Sequence, residues 1–181
     1  MILLLHRGRL GGRFHLLLPV LQNLLFLLFT PHAGRGAFPA WLRGGEATAP
    51  LTENNAAQFA RVLATLCNPP QSSIQKTFTG GKASKALNDP VKAAREKTSA
   101  FLYPLLASFA RFQLGGRLQG GVREKLMPGI WEVVGTAGMR REGLDAMFAG
   151  LGRSERDVWR GVWGEWEGVN GRKDLLSGET V

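Results

Sequence analysis

Leu17, Leu21, Leu24, Leu25 and Leu28 recur at helical spacing, and the same period returns in the other long apolar stretches of the chain. Phe59, Val62, Leu63 and Leu66 share one face of TENNAAQFARVLATLC. Ala94, Phe101, Leu102, Leu105, Phe109 and Phe112 do the same in VKAAREKTSAFLYPLLASFARFQL. Leu126, Ile130, Val133 and Val134 follow in VREKLMPGIWEVV, then Leu144, Met147, Phe148 and Leu151 in REGLDAMFAGL. Nowhere does a period of two last long enough to require a strand. The expected fold is all-α: an irregular helical bundle, or a HEAT-like α-solenoid fragment, of about five to six helices with long loops. No repeat of fixed length is visible, so the solenoid form rests on helical content alone.

The 24 glycines and 9 prolines punctuate these helices. Thr52 is placed to cap the second helix, and Asn68-Pro69-Pro70 ends it. Asp89-Pro90 reads as a helix start, Gly115-Gly116 as a stop. Pro104 should bend or divide its helix, and Pro128-Gly129 predicts a kink or short break. Ser154 and Asp157 resemble a capping box before the last helix. The resulting map is a basic lead over 1–13, a helical domain over 14–169 with a basic loop at 69–88, and a polar tail over 170–181.

Residues 1–45 contain Arg7, Arg9, Arg13, Arg35 and Arg43 and no acid, and they carry the apolar run at 14–29. That order imitates a targeting sequence. The run is short for a membrane span and is interrupted by Pro19, Gln22 and Asn23, so a core helix is the preferred reading. A targeting segment or a membrane anchor using residues 1–29 is the alternative.

A formal charge of +9 and a pI near 10.6 favour acidic partners without choosing among nucleic acid, anionic membrane and acidic protein. Lys76, Lys82 and Lys85 concentrate that charge in the 69–88 loop, where they are candidate RNA phosphate contacts. Lys92, Arg95 and Lys97 continue the run, and Arg140-Arg141 is a second candidate phosphate contact. An exposed, solvated loop is the plainer account of the same lysines.

Trp159, Trp163 and Trp166 stand at i, i+4 and i+7, with Val162 and Val169 extending the stripe. Stacking platforms for nucleic acid set aromatics among cations. Here Glu155, Asp157, Glu165 and Glu167 surround them, so the stripe, together with Trp131, reads as a helix seam or partner interface.

Catalytic groups do not assemble. TGGKAS at 79–84 puts Lys76 and Ala83 where a phosphate loop needs glycine and a hydroxyl residue. Ser73 and Lys76 have the spacing of some acyl-transfer enzymes but none of the supporting motifs. His6, His15 and His32 lie far from the single cysteine, Cys67, which sits on an apolar helix face and reads as a buried thiol. That lone cysteine permits no internal disulfide, and with no glycosylation sequon the chain reads as cytosolic or nuclear. Glu165 and Glu167 point different ways on a helix and read as solvated surface. No enzyme, metal, cofactor or small-molecule substrate is expected.

The order of LLLPVLQNLLFLLFTP, AAQFARVLATLCNPP, VREKLMPGIWEVV and GLDAMFAGLGRSERDVWRGVWGEWE resembles the C-terminal domain of the fungal nucleolar 27S pre-rRNA-processing (unhealthy ribosome biogenesis) proteins. Phe59, Arg61, Leu63, Leu66, Cys67, Asn68 and Pro69 match one family segment. Val122, Arg123, Leu126, Pro128, Gly129, Ile130 and Trp131 match another. Arg153 or Arg156, with Trp159 and Trp163, answers the terminal helix, where the family more often has tyrosine. Members are far longer, so the resemblance covers their terminal domain alone. It implies a nuclear, nucleolar, non-catalytic scaffold in early pre-60S assembly and 27S pre-rRNA processing. Its implied partners are other large-subunit assembly factors, among them scaffold proteins and a DEAD-box helicase, and precursor rRNA.

Overall fold

The computed structural model describes residues 13–29, 51–68, 95, 96 and 98–177. A short 3-10 turn, Arg13–Leu16, leads into α1 (Leu18–Phe26). Then come α2 (Glu53–Cys67), α3 (Tyr103–Gly115), α4 (Gly120–Ala137), α5 (Arg141–Gly150) and α6 (Arg153–Ser177). The described residues form helices and no strand, so the fold is all-α as the periodicity required. The Asp89-Pro90 helix start lies outside the described residues.

Among the described elements the most extensive contact is between α2 and α4. Phe59, Leu63 and Leu66 of α2 and Val122, Leu126, Ile130 and Val133 of α4 belong to one buried cluster. Each such side chain stabilises the fold by about 1.5–3 kcal/mol through removal from water. Two features bring these helices close. A Cβ on Gly129 would stand 2.6 Å from Ala60 Cα and 2.9 Å from Ala60 Cβ, so the approach requires glycine on one side and a small residue on the other. At the end of α2, Asn68 donates its side-chain N–H to Glu132 of α4 over 2.5 Å. Cys67, immediately before it, is fully buried.

The expected break at Pro128-Gly129 does not occur, for α4 runs unbroken through both residues. Pro128 lies on the exposed side. The carbonyl it leaves without a helical partner therefore faces solvent, where water satisfies it. Pro104 does divide its segment: it falls in the first turn of α3, where its missing N–H is not needed. Pro19 likewise begins α1 rather than interrupting it.

Edge-on phenylalanines hold α1 against α3. Phe29 meets Phe109 at a centroid distance of 6.0 Å, and Phe26 meets Phe112 at 5.2 Å. Gln22, a polar break in the apolar run, donates to Ser108 Oγ of α3 at 2.8 Å. Leu24 departs from its expected place on the inner face, being 43% exposed. The buried residues of α1 are Leu21 and Leu25, and Leu24 lies about 100° around the helix from Leu25.

Thr52 and Asn55 close the N-terminus of α2 as expected, with Asn55 Oδ1 accepting the Thr52 backbone N–H at 3.0 Å. The cap of α6 sits two residues earlier than Ser154 and Asp157 suggested. Gly152 precedes the helix, and its N–H donates to Glu155 Oε2 at 2.8 Å. Ser154 is already inside the first turn, while Asp157 pairs with Arg160 on the surface at 2.8 Å. Arg111 of α3 also reaches Glu155, at 3.0 Å, so one carboxylate both caps α6 and ties it to α3.

The Gly152 N–H holds the Glu155 carboxyl below its ordinary range; loss of hydration opposes it, and the hydrogen bond and charge of Arg111 add to the lowering. A depressed folded pKa contributes stability that is full above the unfolded carboxylate value, about 4.3, and is lost as pH falls through the folded value. Glu155→Gln is therefore expected to flatten the acid limb of a circular-dichroism titration below about pH 4. An acid limb as steep as that of the parent chain would show that Glu155 does not carry this dependence.

Candidate interaction surface

The tryptophan stripe of α6 grades from buried to open. Trp159 and Val162 are in the core, and Trp163 and Trp166 are half-buried against it. The indoles form a tilted series, with centroids 6.1 Å apart for Trp159–Trp163 and 5.0 Å for Trp163–Trp166. Trp163 donates its indole N–H to Glu167 at 2.6 Å, one turn further on. Glu165 accepts both short contacts of Arg123 from α4, at 2.6 and 2.7 Å. Glu165 and Glu167 thus serve different partners and do not face one another.

Trp166 lies over α4 beside Gly135, its ring standing 3.6 Å from where a Cβ would be, an ordinary van der Waals distance. Trp131 is one turn before Gly135 on the same face of α4. Between the two indoles runs an open groove of about 560 Å³, lined also by Arg95, Glu132 and Asn170. Asn170 is held to α6 by donating to the Trp166 carbonyl at 3.1 Å. Trp131 Nε1 and Arg95 Nε are both shut off from water and have no hydrogen-bond acceptor. Of the groove residues, Trp131, Trp166 and Val169 were marked in the sequence as parts of a seam or interface. Arg95, Glu132 and Asn170 carried no such mark, because they join one groove only where segments far apart in sequence meet.

The cationic candidates divide. Lys76, Lys82 and Lys85 lie outside the described residues. Arg140 and Arg141 are exposed where α5 begins. Tyr103 bridges this corner, donating to the Arg140 carbonyl at 3.0 Å, and Gly143 leaves space for its ring. Arg156, a residue in the family resemblance, acts structurally. It donates to the Phe148 and Ala149 carbonyls at 3.0 and 2.9 Å and so closes the end of α5. Its guanidinium also stacks 5.4 Å from the Phe148 ring centre.

Among the described residues no His, Cys, Asp or Glu side chains gather into a group able to hold a metal ion. None of the described helices is long and apolar enough to cross a membrane.

A family model described as the Urb2/Npa2 family matches residues 1–170. The chain belongs to the Urb2/Npa2 family. This is the nucleolar 27S pre-rRNA-processing family that the ordered segments around Cys67, Pro128 and Trp159 resembled. Urb2/Npa2 proteins are ribosome-biogenesis factors and are not a known enzyme family. No curated protein and no solved structure matches this Urb2/Npa2 chain.

Proposed function

We propose that this Urb2/Npa2 chain is a non-catalytic scaffold of early pre-60S particles, acting in 27S pre-rRNA processing in the nucleolus. The match of the family over residues 1–170 carries this reading. The helical architecture supports it, since half-buried indoles and an open groove suit protein packing better than chemistry. Apolar helix faces meet other assembly factors, scaffold proteins and a DEAD-box helicase. Lys76, Lys82 and Lys85, with Arg140 and Arg141, add attraction for precursor rRNA.

Recovery of 27S precursor rRNA with the C-terminally tagged chain, at low and at moderate salt, tests the role. Retention at both salts is the expected result. Retention at low salt only would reduce the association to attraction by a +9 chain. Replacing Lys76, Lys82 and Lys85 together with alanine is expected to weaken binding to single-stranded RNA and to make its logarithmic salt slope shallower by about 2. An unchanged slope would remove the loop from RNA contact.

A further inference from the structure

We propose that the outer face of α1 is a docking surface for a segment of the same chain, the apolar run Ile2, Leu3, Leu4 and Leu5, folded back along the helix. The contact goes beyond the scaffold reading and does not depend on it.

The helix is apolar on both sides. Leu21 and Leu25 enter the core, yet Leu16, Val20 and Leu24 are 63%, 50% and 43% exposed. Among the described residues only one other large apolar side chain, Leu114, stands as open to water. Residues four apart form one ridge along a helix, so Leu16, Val20 and Leu24 make a continuous stripe about 12 Å long. A helix that is apolar all round belongs in an interior, and α1 has its main helix contact, with α3, on the opposite side. The stripe is therefore a face that something covers.

Charge, area and tether length choose the occupant. Residues 14–29 contain no Asp, Glu, Lys or Arg, so the stripe offers nothing to a phosphate or to a charged peptide. Three side chains present on the order of a few hundred Å² at most. A stable interface between separate chains needs about 800 Å² from each, so this face alone does not hold a second copy. Outside the described residues, residues 2–5 are the longest run of large apolar side chains in the sequence. Ten residues join them to Leu16, and so short a tether sets their effective concentration at the stripe on the order of millimolar. The dimensions agree. Four residues reach at most about 14 Å, the length of the stripe, and residues 6–12 span up to about 24 Å, enough to return along α1. Gly11 and Gly12 stand where the chain has to reverse, and glycine accepts either sign of φ there.

The test uses the purified full chain carrying Leu4→Cys and Val20→Cys, under mild oxidation. The native Cys67 is fully buried and does not compete. A disulfide within one chain, linking positions 4 and 20, is expected to form about tenfold faster than one between Leu4→Cys and Leu114→Cys. Leu114 is as exposed as Val20 but belongs to α3, so the second pair measures indiscriminate apolar collapse. Equal rates for the two pairs would overturn the proposal. Links between chains in place of the internal one would put a second copy on the stripe and overturn it as well. A measurement without any new disulfide supports or sinks the same contact. Maleimide labelling of Val20→Cys should accelerate by about tenfold when Ile2, Leu3, Leu4 and Leu5 are all replaced by serine, at unchanged far-ultraviolet circular dichroism. An unchanged labelling rate would show that residues 2–5 do not cover Val20. Protection by phosphatidylserine vesicles, equal in the parent and the serine variant, would place a lipid surface on α1 instead. Neither readout involves 27S precursor rRNA, so the contact can fail while the scaffold role stands, and the reverse.

Discussion

Gly129→Val is expected to destabilise the chain by about 3 kcal/mol, measured as a shift of the urea midpoint at unchanged slope. Two effects compete at this position. Glycine inside a helix costs about 1 kcal/mol relative to alanine, so any side chain gains from propensity alone. Against that, the new Cβ would stand 2.6 Å from Ala60 Cα and 2.9 Å from the Ala60 carbonyl oxygen. Those are backbone atoms of α2, which no rotamer change can move aside. The helices must separate, and the separation opens the seam in which Leu63, Leu126 and Ile130 are wholly buried. Packing therefore wins over propensity. Ala60→Gly in the same chain should restore part of the loss, because it removes the Cβ at 2.9 Å and leaves the Cα in place. A Gly129→Val chain as stable as the parent would mean that α2 and α4 do not approach through this pair.

Phe109→Ala is expected to cost about 3–5 kcal/mol. Phe109 is fully buried and lies edge-on to Phe29, so truncation removes both its own burial and one side of the aromatic contact that seats α1. The Gln22–Ser108 hydrogen bond is one position away on α3 and cannot hold α1 unaided, a single hydrogen bond contributing about 1 kcal/mol. Backbone amides of α1 should consequently lose hydrogen-exchange protection before those of α2 and α4, whose contact does not involve Phe109. Uniform loss of protection across all three helices would show instead that α1 is part of one cooperative unit with the α2–α4 pair.

Most helices of this Urb2/Npa2 chain were legible in its sequence because periodicity is a local property. Leu63, Leu66, Leu105, Phe109, Leu126 and Ile130, picked out by spacing alone, are all fully buried. Punctuation was legible where it acts locally: Thr52 caps α2, and Pro104 starts α3. It misled where the outcome depends on surroundings. Pro128 breaks nothing because its side of α4 faces water, and Ser154 yields the cap to Gly152 because Glu155 reaches back to that N–H while also meeting Arg111.

The candidate surface divides along the same line. That Trp159, Trp163 and Trp166 share a stripe follows from 3.6 residues per turn, and their order with the Cys67 and Pro128 segments was enough to mark the family. That the stripe runs from core at Trp159 to groove at Trp166 depends on where α4 crosses it. Trp131 and Trp166 are far apart in sequence, and only the α4–α6 contact makes them walls of one groove, where the donors of Arg95 and Trp131 meet no acceptor. By itself, then, the sequence determined helix content, most core faces and family, since each is written in spacing along the chain. Which helices pair, why Gly129 must lack a side chain, and which polar atoms are left without partners were decided only by tertiary structure, because steric fit and hydrogen-bond satisfaction are relations between segments brought together across space.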